Sequence, residues 1–243
     1  MAYQYTPLPP GTIRLLSLSP SPSKTAPLEG TFLPTPLSSP SATVSVAAPP
    51  PFSSLSYVWG PQTFPSSIKI TSAGAGGGDL PLPLPTANLD AALRRFRLPD
   101  APRLLWADAI CINQQDISER NAQVLLMADI YRTADTTLCW LGLGAGTGSE
   151  EGALRTLSEI AELGPRFGQP ARGMPPERGA PIGTELDLGD IDMEEAGEVV
   201  ELAVGGETEL VFGNEWFERL WIVQEAVLAR EMRMVLGEAE IEW

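Results

Sequence analysis

Two short runs, LLWADAICI (Leu104–Ile112) and TTLCWLG (Thr136–Gly142), are apolar without alternation, and one helix-length segment separates them. A strand with one wet face alternates apolar and polar residues, whereas an unbroken apolar run suits a strand covered on both faces. Such strands belong to parallel sheets joined by crossover helices. The segment between them fits that role: Asp116 with Glu119 three residues on makes a capping pattern, and Val124, Met127, Ala128, Tyr131 and Ala134 form one helical stripe. TIRLLSL (Thr12–Leu18), FSSLSYVW (Phe52–Trp59), SIKITS (Ser67–Ser72) and MRMVLG (Met232–Gly237) read as further strands. ANLDAALRRFRL (Ala87–Leu98) and Trp216–Arg230 read as helices, the first with Leu89, Ala92, Leu93 and Phe96 on one side and Arg94, Arg95 and Arg97 opposite. The alternation predicts an α/β fold built on a mostly parallel open sheet with flanking helices.

At 243 residues and 43% hydrophobic content, the chain can bury one substantial core and carry long insertions, so a single domain over 1–243 is expected. Two segments depart from the pattern. Half of the 24 prolines lie within the first 51 residues, and about 19–51 reads as a Pro/Ser-rich loop or long hairpin. Residues 144–210 hold fifteen acidic and four basic side chains, a net of -11 out of -15 for the chain, and read as a solvated Gly/Pro-rich insertion with a short acidic helix near its end. That field repels phosphate, and no basic stripe offsets it. Nucleic-acid binding is therefore disfavoured.

No run of eighteen apolar residues is present, and MAYQYTPLPPG lacks the basic start and apolar stretch of a secretion signal, which predicts a cytoplasmic chain without a membrane span. Cys111 and Cys139 sit in apolar runs and are expected as reduced, buried thiols rather than a disulfide or metal pair. The complete absence of histidine removes Ser-His-Asp, Cys-His and zincin chemistry. No metal site and no bound cofactor are expected. The glycine-rich AGAGGGD (Ala73–Asp79) and GLGAGTG (Gly142–Gly148) lack the Lys-Ser/Thr of a phosphate loop and read as flexible connections.

Three blocks set polar and aromatic residues inside apolar runs: SSLSYVWG (Ser53–Gly60), LLWADAICINQQDISERNAQVLLMADIY (Leu104–Tyr131) and WFERLWIVQEAVLA (Trp216–Ala229). In open α/β sheets ligands sit beyond the C-terminal ends of the strands. Ser56, Tyr57, Trp59 and Gly60 end one strand, and Asp108 and Asn113 lie within or just after another. Asp108 in a buried strand must be paired, with Arg120 or a ligand hydroxyl as partner. Trp59, Trp106 and Trp140 read as core aromatics, and Asn113, Gln114 and Asp116 as the turn and cap before the helix.

The order and wording of these blocks resemble the HET (heterokaryon incompatibility) domain of filamentous fungi, from about Ile13 to Trp243. The sequence departs from that pattern at Ala107, where a larger apolar residue is usual, and in the lead before Trp216. Family members usually continue into a variable C-terminal region, so a fragment, a minimal form or an imperfect gene model is expected. More remotely, a strand ending in Ser-Tyr, a strand with Asp and a helix with Trp221 and Glu225 four residues apart look like the plan of TIR domains, which have a flavodoxin-like arrangement. The resemblance implies an effector of non-self recognition that triggers growth arrest or programmed cell death, acts with a recognition partner and self-associates through this domain. It further implies Glu225 as catalytic carboxylate for cleaving NAD as a substrate, with Ser56, Tyr57, Trp59, Gly60, Asp108, Asn113, Trp221 and Gln224 around the substrate. A non-catalytic adaptor acting by homotypic assembly is the alternative, with Glu225 then anchoring its helix by pairing to Arg219.

Overall fold

The computed structural model describes residues 2–37, 48–71, 79–144, 146, 149–167, 213–219 and 222–243. Among them nine strands form one sheet: β1 (Thr12–Leu18), β2 (Leu28–Pro36), β3 (Ser53–Tyr57), β4 (Ser66–Thr71), β5 (Asp79–Leu84), β6 (Arg103–Trp106), β7 (Thr136–Gly142), β8 (Met232–Leu236) and β9 (Ala239–Glu242). Their order across the sheet is β5-β4-β2-β1-β6-β3-β7-β8-β9. The central strands β6, β3, β7 and β8 are mutually parallel, whereas β1 joins β6, and β9 joins β8, antiparallel. The expected open α/β sheet is therefore present, parallel at its centre and mixed overall. Numbered along the chain, the four central strands run 2-1-3-4, which is the flavodoxin-like order. β7 has no exposed residue because β3 and β8 flank it and helices cover it.

The helices are α1 (Ala87–Phe96), α2 (Asp108–Cys111), α3 (Ile117–Thr133), α4 (Glu150–Phe167) and α5 (Ile222–Leu228). Thr86 caps α1 by accepting from Leu89 N at 3.2 Å, and Asp90 pairs with Arg94 one turn on at 2.8 Å. Asp116 caps α3 as its position in the sequence suggests, accepting from Ser118 N and Glu119 N. Glu119 does not complete the capping box. It turns inward, where Arg14 on β1 binds it at 2.7 Å.

Four expectations are corrected. The run Leu104–Ile112 is not one strand: β6 stops at Trp106 and α2 begins at Asp108. Side chains replace the ladder there, since Gln114 donates to Asp108 O, Tyr5 to Ile110 O and Arg14 to Cys111 O. Burial of Ala109, Ile110 and Cys111 supplied the apolar signal without a strand. Likewise Trp216–Arg230 is not one helix. A 3-10 turn (Glu215–Glu218) capped by Asn214 is followed by extended Arg219, with α5 starting three residues later.

The supposed loop 19–51 contains β2, paired with β1 along seven positions. Its prolines are tolerated because β4 pairs with Leu28–Gly30, which leaves Pro34 and Pro36 without a second neighbour among the described strands. Gly30 is required there, since a Cβ would lie 2.7 Å from Ser17 O. Finally, the acidic insertion opens with α4, whose Ala153, Leu154 and Leu157 pack with Cys139, Trp216, Met232, Met234 and Leu236 in a second core cluster. The acidic helix expected near Thr184–Leu202 lies outside the described residues, as does most of AGAGGGD. Both cysteines are buried and free, as anticipated. Among the described residues, no helix is long and apolar enough to cross a membrane.

Candidate functional site

In the parallel pairing of β3 with β7, Ser54 sits opposite Thr137 and Ser56 opposite Cys139, so the four share one face of the sheet. Ser54 Oγ and Thr137 Oγ1 satisfy each other at 2.9 Å. Ser56 is left to face α5, and its hydroxyl donates to Glu225 Oε2. The same oxygen of Ser56 accepts from the Trp216 indole N–H at 2.7 Å. Arg219 completes the group: Nη1 donates to Tyr57 O at 2.8 Å, and Nη2 stands 3.8 Å from Glu225 Oε1. The pairing of Glu225 with Arg219 named in the sequence is thus present. Glu225 is only 2% exposed.

Burial raises the Glu225 pKa above the usual carboxylate range, while the Ser56 hydrogen bond, the Arg219 charge and the Tyr131 hydroxyl pull it back down. Burial also pushes Asp108 up to about 6, opposed by the Trp59 hydrogen bond and reinforced by the charge of Glu225. Two perturbed carboxylates near one strand end are a pattern found at functional sites and in structural ion-pair networks alike. Asp108 is half-buried, and its partner is not Arg120. Trp59 Nε1 donates to both of its oxygens, at 3.1 and 2.9 Å, and Ala109 N to one at 2.7 Å. Tyr57 lies within reach of the Asp108 charge but outside hydrogen-bond geometry, and its buried hydroxyl has no partner among the described residues. Burial first, and that charge second, hold the phenol well above its ordinary pKa.

The site residues read from the sequence therefore separate into groups. Ser56 joins Glu225, and Trp59 joins Asp108 with Tyr57 beside it. Gly60, at φ +69, lines a cavity of about 370 Å³ with Val58, Asn88, Trp140, Leu141 and Asn214. That cavity is at the switch point of the sheet, where the connection from β3 leaves toward β6 and the one from β6 returns to β7. Asparagine amides hold its walls: Asn88 donates to Val58 O and accepts from the Trp140 indole, and Asn214 donates to Leu141 O. Asn113 faces a different cavity, alongside Trp59. Gln224 is half-buried on α5, and Trp221 lies outside the described residues. Trp106 and Trp140 are core residues as expected, whereas Trp59 is a partly exposed wall.

Sequence reasoning passed over Trp216, Tyr131 and Asn88. Trp216 opens a quoted block, but nothing in a sequence couples its indole to a serine 160 positions away. Among the described residues no group of three or more His, Cys, Asp or Glu could hold a metal ion.

An open α/β sheet of flavodoxin-like central order, with a histidine-free cluster of Ser, Trp, Arg and Glu at the end of its first parallel strand, sets the class of domain. The family profile described as heterokaryon incompatibility protein (HET) matches residues 52–225, and the chain belongs to that family. Heterokaryon incompatibility protein 6, OR allele, of Neurospora crassa is 34% identical over 130 residues, covering 51% of this chain. The chain spans only 18% of that relative's length. No solved structure matches the chain significantly.

Proposed function

We propose that this domain is an effector of fungal non-self recognition, acting in the cytoplasm and triggering growth arrest or cell death once activated. Its family membership and the name of the Neurospora crassa relative support the role in incompatibility. The observation that carries the reading further is the cluster at Glu225, where a carboxylate of raised pKa is held by Ser56 and Arg219.

Such a group suits cleavage of NAD without histidine. The nicotinamide–ribosyl C–N bond breaks, nicotinamide leaves with the electron pair as a neutral molecule, and the ribosyl cation is stabilised by the carboxylate until water captures it and sheds a proton. Glu225 is 2% exposed, so the proposed reaction requires α5 to move away from β3 and open the carboxylate to a substrate. A second reading, signalling by assembly of like domains without catalysis, is supported by Ile117, Val124 and Leu125, which α3 presents to solvent at 64%, 41% and 82% exposure.

Purified, concentrated protein incubated with NAD separates the two, with nicotinamide followed by chromatography. Release supports cleavage. Arrest on expression in a fungal host without release supports assembly, and absence of both removes the effector reading.

A further inference from the structure

Beyond the ends of β3 and β6 the chain encloses a second cavity, of about 630 Å³, within the range of small-molecule sites. Glu225 is not among its lining residues. One wall is the partly exposed indole of Trp59, whose ring is immobilised by its hydrogen bonds to both oxygens of Asp108. Opposite chemistry comes from the loop after α2, where the amide groups of Asn113 and Gln114 face the cavity, and from Gln62. Gln114 spends its N–H on Asp108 O, which leaves its carbonyl oxygen to accept from a ligand. Among the described residues, the one charged side chain on its lining is that of Arg120. It is exposed, and no described carboxylate lies in salt-bridge range of it, in a chain of net charge -15.

Phe64 adds an independent mark. It is the one non-glycine residue with positive φ among those described, at 49°, and its ring is 56% exposed on the same cavity. An aromatic side chain held in the left-handed region costs conformational energy and gains nothing from burial here. Its backbone N–H bonds to Pro85 O at 3.1 Å, so the strained position is anchored to the end of β5. Strain kept at an exposed aromatic ring is accounted for when that ring has a ligand to cover.

We propose that this cavity binds a planar heteroaromatic molecule carrying an anionic group. The ring stacks against Trp59 and Phe64, its polar edge meets the Asn113 and Gln114 amides, and Arg120 takes the anion. A nucleoside monophosphate and an aromatic carboxylate share this chemistry. The proposal does not rest on the Glu225 reading, and binding is measured without turnover.

Titration calorimetry of the full chain with AMP, indole-3-carboxylate and uncharged adenosine tests it. Saturable binding of at least one anionic probe is expected, at least tenfold tighter than adenosine; AMP alone identifies a nucleotide site and indole-3-carboxylate alone a carboxylate site. Arg120→Gln is expected to weaken the bound anion about tenfold without changing the thermal midpoint. Phe64→Gly is expected to raise the thermal midpoint, because glycine relieves the positive φ, while weakening the same probe. No saturable binding of either anion at millimolar concentration overturns the proposal. So does binding that is unchanged in either variant.

Discussion

Replacing Glu119 by Leu isolates a charge in the core, and the cost can be worked out from its neighbours. Arg14 is 1% exposed and directs Nη1 to Glu119 Oε1 and Cys111 O, both at 2.7 Å, with Nη2 on Thr6 O at 2.8 Å. Glu119 Oε1 also accepts from Asn113 N at 2.8 Å, which ties the loop of the ligand-facing amides to the core. Leucine removes the carboxylate that pairs with that guanidinium and strands the Asn113 N–H. Breaking one side of a buried pair costs roughly 3–5 kcal/mol, and an orphaned amide adds about 1–3 kcal/mol. The expected loss is therefore at least about 4 kcal/mol, at the upper end of single substitutions. Arg14→Met combined with Glu119→Leu removes both charges and is expected to recover more than half of it. Urea unfolding followed by tryptophan fluorescence measures both variants beside wild type. A Glu119→Leu midpoint within about 0.5 kcal/mol of wild type, the usual range of surface changes, refutes the buried pairing.

Asp108 gives a pH signature. Its pKa in the fold is about 6, above the usual carboxylate value, so the folded state holds the proton more tightly than the unfolded one. The associated stability is complete below about pH 4 and is lost as pH rises through 6, amounting to at most about 3 kcal/mol and less because the residue keeps some exposure. Asp108→Asn should flatten the difference between melts at pH 4.5 and 7.5; an unchanged difference removes Asp108 from the interior. Gly30→Ala should cost about 1–3 kcal/mol by pushing β2 from Ser17 O, read as a lower unfolding midpoint, and a neutral result would mean that the β1–β2 approach is looser than described. Cys111 and Cys139 are buried, with burial pushing the first thiol up to about 12. Neither should react with a thiol reagent until urea unfolds the chain, and rapid native labelling would contradict the burial.

What could be read from the sequence depended on whether a signal was local. β1, β7 and α1 were legible because their apolar spacing and caps lie within the elements themselves. The Leu104–Ile112 run was misread because composition reports burial, whereas the choice between strand and helical turn was made by Gln114, Tyr5 and Arg14 acting from other segments. α4 was hidden for a related reason: the acidity averaged over 144–210 masked the single stripe of Ala153, Leu154 and Leu157. At the site, Ser56, Asp108 and Glu225 stood out as polar groups in apolar surroundings. Their pairing did not. Ser56 and Glu225 are 169 positions apart, and only the register of β3 beside β7 brings α5 over that hydroxyl.

In the proposed function the Glu225 carboxylate is the working group of an effector domain. Glu225→Gln keeps the volume and can still accept from Ser56, while it removes the charge that a ribosyl cation would need. The most direct measurement is nicotinamide release from NAD by folded wild-type and Glu225→Gln protein at equal concentration, beside growth of a fungal host expressing each. Release and arrest are expected with wild type, and loss of both with a variant whose thermal midpoint shows it folded. A folded Glu225→Gln protein that still releases nicotinamide and still arrests growth contradicts it.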